Sequence, residues 1–303
     1  MSRDSREPKS WQSHTSAILS GFFGDWLAQR ESPLAVKTAL LHEGKRLDLA
    51  KLDIPQPKGT VILLVHGLMG QESIWEFPGQ PGVHYGSELA QVMDANALCL
   101  RYNSGRPVHY TGATLTNLLQ TLKEHWPVPL EKLVLIGHSM GGLVIRSACH
   151  QGEIAGHSWP QCVESCVYLG APHDGSWLAQ TAHETAGMMQ SMPTAYLKVV
   201  GKFIDSRSEG IRNLTAGDIL KDLDQSPPLL AGARHFAVAG LLSKRPGHAL
   251  NRIFGDLLVK ESSARGGGRK GWTMTDSVCF TGVSHVRLAH SARINQQLRE
   301  WLT

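Results

Sequence analysis

The sequence has no apolar run long enough to cross a bilayer, which excludes a helical membrane span. It has no His-Glu-x-x-His, so the common helical zinc-protease site is excluded despite fifteen histidines. Cys162 and Cys166 stand four apart, but no second pair or histidine partner follows at zinc spacing. No structural metal and no cofactor are expected. Charge is sparse, 18% of residues, and the net value of +4 is spread along the chain apart from Arg265 to Lys270. That argues against a nucleic-acid partner. The five cysteines are an odd number for a disulfide framework. Cys99, Cys166 and Cys279 fall in predicted strands and Cys149 in a predicted helix. All read as small buried hydrophobes of a reducing compartment. The first apolar run, Ala17 to Gly24, is short and broken by Asp25. No small-residue cleavage site follows, so a signal peptide is not expected and the expected location is cytoplasmic.

What is present is an ordinary globular composition, 42% hydrophobic, enough for a large core. Residues 1–57 read as a polar tail, an amphipathic helix and a strand hairpin. The helix carries Ile18, Leu19, Phe22, Phe23, Trp26 and Leu27 at helical spacing, suited to packing on the body or, less favoured, to touching lipid. The hairpin pairs Thr38–Leu41 with Arg46–Lys51 around Glu43-Gly44. Residues 58–303 then alternate strands with helices. Thr60–Val65 is a continuous apolar run, as in a parallel strand buried on both faces. A short helix (Leu89, Val92, Met93), a strand at Ala97–Tyr102 and an amphipathic helix (Leu115 to Trp126) follow. Strands at Val163–Leu169, His235–Ala239 and Val278–Thr281 continue the cadence, and a last helix runs from Val286 to the C-terminus. The cadence predicts an α/β fold with a mostly parallel sheet and helices on both faces. It lapses over residues 177–232, where an inserted helical cap is expected. Met188, Met189 and Met192 there suit the cap's own core or an adaptable wall for an acyl chain.

The chain is organised around Leu133-Val134-Leu135-Ile136-Gly137-His138-Ser139-Met140-Gly141-Gly142. Four apolar residues end in Gly-His-Ser-Met-Gly, and Leu143-Val144-Ile145 continue with helical spacing. This is the form of a strand, a very tight turn with serine at its tip, and a helix. Side chains at positions 137 and 141 would collide where the flanking backbones converge. Ser139 then sits at the positive end of a helix. A serine nucleophile needs a base, and the base needs an acid to fix its tautomer. The order nucleophile, acid, base points to His285, between the last strand and last helix, ahead of His290. Asp256 ranks first as the acid, before Asp174 and Glu261; Asp276 precedes the last strand, at the wrong end of the sheet. Val65-His66-Gly67-Leu68 ends a strand in a turn able to aim a backbone N–H at a developing oxyanion. The N–H groups of Leu68 and Met140 are the expected donors.

These motifs, with Gly170-Ala171-Pro172-His173-Asp174-Gly175-Ser176, resemble the α/β-hydrolase esterases and lipases. The likeness is greatest to a bacterial branch similar to the GPI inositol-deacylase-like (PGAP1-like) group. It extends to Leu100-Arg101-Tyr102-Asn103-Ser104-Gly105, Gly255-Asp256-x-Leu258-Val259 and Ser284-His285-x-x-Leu288, covering roughly residues 58–303. In that group the Gly-Asp aspartate is the triad acid, which implies Asp256. This chain departs from the usual Gly-Asp-Gly-Leu-Val-Pro in carrying Leu257 and Lys260. The resemblance implies a serine hydrolase of carboxylic esters acting on a small ester or lipid-like substrate. It does not imply a GPI substrate. The same triad also serves thioesterases and acyltransferases, and a silent hydrolase fold can serve as a binding module.

Overall fold

The computed structural model describes residues 36–68, 70–173, 219, 227–241 and 272–303. The expected N-terminal helix, nearly all of the cap, Asp174, Asp256, Glu261 and the basic stretch 265–270 lie outside the described residues.

The described strands are β1 (Ala39–His42), β2 (Lys45–Arg46), β3 (Thr60–Val65), β4 (Ala95–Arg101), β5 (Lys132–His138), β6 (Val163–Leu169), β7 (Arg234–Leu241) and β8 (Asp276–Thr281). The described α-helices are α1 (Tyr85–Met93), α2 (Val108–His125), α3 (Met140–Ile154) and α4 (Ala292–Leu302). The strands form one sheet in the order β2-β1-β4-β3-β5-β6-β7-β8. Pairing is parallel from β4 through β8, and β1 pairs antiparallel with both β2 and β4.

Strand alternation divides the core into two layers. Val61, Leu63 and Val65 of β3 join Leu133 and Leu135 of β5 beneath Leu115, Leu119 and Leu122 of α2 and Leu143, Val144 and Ala148 of α3. Ile62, Leu64, Val134 and Ile136 face the other way, toward Tyr85 and Leu89 of α1 and Ile294, Leu298 and Trp301 of α4. This is why Val61–Val65 of β3 and Leu133–Ile136 of β5 are apolar without a break: both faces are covered. Each such side chain, fully buried, contributes about 1.5–3 kcal/mol. The arrangement is the α/β-hydrolase architecture, an α/β sheet wound on both faces.

Strand order also fixes where a ligand belongs. From β3 the chain moves outward to β4, then returns across β3 to β5 and continues the other way to β6. The connections leaving β3 and β5 therefore diverge. The crevice at the carboxyl ends of those two neighbours is the switch point of the sheet.

Three details differ from the sequence reading. The last helix is not continuous. Val286–Ala289 is one 3-10 turn, His290 is a bend, Ser291 is extended, and α4 begins at Ala292. The hydroxyl of Tyr85, 206 residues away, accepts the Ser291 N–H at 2.6 Å and imposes that break. Cys279, on the edge strand β8, is exposed, and Cys99, on β4, is half-buried. Finally, β2 has two residues, and α2 starts at Val108, directly after Pro107.

Candidate active site

Ser139 follows β5 directly and caps α3 with φ 53° and ψ −125°, a left-handed conformation that costs a non-glycine residue roughly 1–3 kcal/mol. The surroundings hold it there. Its N–H donates to the Leu169 carbonyl at 2.9 Å, and its carbonyl accepts the Gly142 N–H at 3.0 Å. A Cβ on Gly137 would lie 2.6 Å from the Gly142 nitrogen, and one on Gly141 would collide with the Val65 carbonyl oxygen. The two glycines allow β5 to run straight into α3 and allow α3 to start against the end of β3. Ser139 is buried and lies at the helix N-terminus, where the first N–H groups have no intrahelical acceptor. Met140 N–H is the first of these.

The β3 turn meets the elbow directly. A Cβ on Gly67 would come within 2.9 Å of the Ser139 Cβ. Two donors occupy the Gly67 carbonyl: the His66 Nδ1–H at 2.8 Å and the Gly70 N–H at 3.1 Å. Because the peptide is trans, the Leu68 N–H points opposite to that carbonyl, away from the His66 ring. Tyr102, just past β4, donates its hydroxyl to the His66 carbonyl at 2.6 Å and stacks on the His66 ring at 4.3 Å. Arg101 forms a two-pronged ion pair with Glu72, tying the stretch after the turn to the end of β4. Burial pushes the Glu72 carboxyl up, but Arg101 more than offsets this and holds it below its ordinary range.

The loop after β8 brings His285 to the same rim. A Cβ on Gly170, at the end of β6, would stand 3.0 Å from the His285 ring, and one on Gly240 of β7 would stand 2.7 Å from the Val283 carbonyl. Three distant groups hold the loop. His138 Nε2 donates to the His285 carbonyl at 2.9 Å, Tyr85 donates to the Leu288 carbonyl at 3.0 Å, and His290 Nδ1 donates to the Ile74 carbonyl at 2.8 Å. Burial, followed by the neighbouring His138, drives His285 well below the ordinary histidine value. It is therefore a neutral ring at pH 7, the state a base requires. The described contacts tie His285 to the elbow through its carbonyl and its ring packing, not through a hydrogen bond to the Ser139 hydroxyl.

Of the residues read from the sequence, Ser139, Met140, Leu68 and His285 thus converge at the switch point. His290 is turned to Ile74. Asp276 begins β8 at the far end and accepts the Trp301 indole N–H at 2.9 Å. Asp256, Asp174 and Glu261 lie outside the described residues. Two buried residues had no sequence-based role. Arg146 on α3 donates to the Pro227 carbonyl at 3.2 Å, contacts His173 Nδ1 at 3.3 Å and lies 3.9 Å over the Trp272 ring. His138 ends β5 beside Ser139; its signal was a polar residue closing the apolar run Leu133–Ile136. Among the described residues, no group of three His, Cys, Asp or Glu side chains could hold a metal ion, and no helix is long and apolar enough to cross a membrane.

A family model described as a domain of unknown function, DUF7379, matches residues 38–216. No curated protein sequence matches the chain. Among solved structures, the chain is similar to the mature form of the Bacillus licheniformis lipase BlEst2 (20% identity, 88% of this chain and 98% of that one, TM-score 0.57). It is also similar to EstE5 from a crystal soaked with ethyl alcohol (13% identity, 99% of this chain and 91% of that one, TM-score 0.51). At these identities the likeness is one of fold.

Proposed function

We propose that this chain, which belongs to the DUF7379 family, is a serine hydrolase that cleaves carboxylic esters through an acyl-enzyme. The observation that carries the reading is the strained Ser139, φ 53°, at the switch point, with the His285 loop bonded to the residue immediately before it. Strain at a residue of this kind is maintained only where the surroundings over-determine it, and it concentrates at reacting groups.

In this reading Ser139 Oγ attacks the ester carbonyl while His285 takes its proton. The N–H groups of Leu68 and Met140 stabilise the oxyanion, as fixed donors aimed where the charge develops. The tetrahedral species collapses, the C–O bond to the alcohol breaks, and His285 returns the proton to the departing oxygen. Water, deprotonated by His285, then hydrolyses the acyl-enzyme and restores Ser139. Asp256 holds His285 in the required tautomer. The chemistry consumes only ester and water and needs no cofactor. The finer likeness to the GPI inositol-deacylase-like group rests on the quoted motifs and belongs to the same proposal, as do the division into a body and a cap over 177–232 and a cytoplasmic location.

The test is labelling with a fluorophosphonate, followed by peptide mapping, alongside p-nitrophenyl esters of increasing acyl length. Labelling at Ser139 and loss of turnover in Ser139→Ala are expected. An unlabelled wild type, or full turnover in Ser139→Ala, would overturn the reading.

A further inference from the structure

His138 is buried, yet it is not a passive core residue. Its Nε2 lies 2.9 Å from the carbonyl oxygen of His285, and its ring is 4.8 Å from the His285 ring. A carbonyl oxygen only accepts, so the proton must be on Nε2. Nδ1 is then a lone-pair nitrogen with no hydrogen-bond partner among the described residues. It faces the β3 turn, since a Cβ on Gly67 would stand 3.2 Å from it. The edge of Trp75 closes another side at 6.2 Å. One imidazole therefore touches the base loop and the oxyanion turn, and is covalently next to the nucleophile.

We infer that His138 is a positioning residue for the hydrolytic site, fixing the height of His285 over Ser139 by donating from Nε2 to the His285 backbone. The inference rests on the serine-hydrolase reading and deepens it. Its physical basis is leverage. His285 sits in a loop without strand or α-helix of its own, at the N-terminal end of a single 3-10 turn. The backbone carbonyl of a catalytic residue moves its ring with it, and a displacement near 1 Å at a reacting centre lowers turnover about 100-fold. A donor on the rigid end of a central strand is a firm anchor for such a loop. Burial, with His290 and His66 adding to it, lowers the His138 pKa to about 4. The ring accordingly stays neutral and keeps one fixed tautomer through the working range.

The experiment compares His138→Gln, His138→Leu and His138→Asn in the full chain. The glutamine amide places an N–H where Nε2 stood. Leucine fills the space without a donor. Asparagine carries a donor that is too short to reach. Steady-state kinetics on p-nitrophenyl butyrate and the rate of fluorophosphonate labelling are read together with the thermal midpoint. His138→Leu should lower kcat at least about 10-fold with KM within about twofold, and His138→Gln should stay within about threefold of wild type. If His138→Leu does not fold, His138→Asn takes its place with the same expectation. Wild-type kcat in His138→Leu and His138→Asn, a loss confined to KM, or equal losses in all three would overturn the positioning role and leave the hydrolase reading standing. A wild type inert to both probes would overturn that reading, and the positioning role with it.

Discussion

The Tyr102 hydroxyl donates a 2.6 Å hydrogen bond to the carbonyl oxygen of His66 while the two rings stack at 4.3 Å. One side chain thereby fixes both the peptide and the ring of the residue that starts the β3 turn. Tyr102→Phe keeps the stack and removes only the bond, leaving a buried carbonyl short of a partner. It should destabilise the fold by about 1–3 kcal/mol in urea unfolding, and ester turnover should fall while KM holds.

The Glu72–Arg101 pair invites a double-mutant cycle. Both side chains are about a third exposed or less, and the two-pronged geometry is favourable. Glu72→Gln, Arg101→Met and the double variant should give a coupling free energy of about 1 kcal/mol, shrinking in high salt. A coupling of zero would mean that the pair does not pin the stretch after the turn.

Acid should weaken the fold in a defined window. His66 and His138 titrate at about 4 in the folded chain against an ordinary value of 6.5, burial being the main cause for both. Above pH 6.5 both rings are neutral in either state and their contribution is complete. As pH falls from 6.5 to 4, the unfolded chain takes up protons that the fold excludes, so stability drops, by about 3 kcal/mol per ring at most, and then levels off. Urea midpoints between pH 7 and 4 should trace that slope, and His66→Asn should make it shallower.

Two glycines should respond very differently to the same methyl group. Gly156 has φ +66° and open space around it, so Gly156→Ala carries only conformational strain, about 1 kcal/mol. Gly141→Ala drives a Cβ into the backbone at the end of β3 and should cost more than about 3 kcal/mol or prevent folding. Similar losses in the two variants would contradict the close approach of α3 to β3.

For the acid, Asp256→Asn should lower turnover at least about 100-fold and Asp174→Asn much less. The opposite order would move the acid to Asp174.

Much of the frame was legible because it is local. Thr60–Val65 and Val163–Leu169 are strands at the positions read from the sequence, since Val61–Val65 and Cys166–Leu169 are unbroken stretches of buried, largely apolar residues covered on both faces. The elbow was legible for a related reason: two converging backbones permit only glycine at 137 and 141. What escaped the sequence depends on partners far along the chain. The break at Ser291 is made by Tyr85. The bond from His138 to the His285 carbonyl has no counterpart in spacing or periodicity. Arg146 could not be read as buried until Pro227, His173 and Trp272 were seen around it.

The contact between His138 and His285 spans 147 residues, and the turn that carries His138 and Ser139 lies in the first half of the chain. During synthesis, β3, β5 and α3 leave the ribosome long before residue 285 does. A nascent or truncated chain ending ahead of that residue has Ser139 but not His285, which on the proposed reading is a nucleophile without its base. On the proposed reading, the order of translation makes ester turnover wait for the docking of the C-terminal segment.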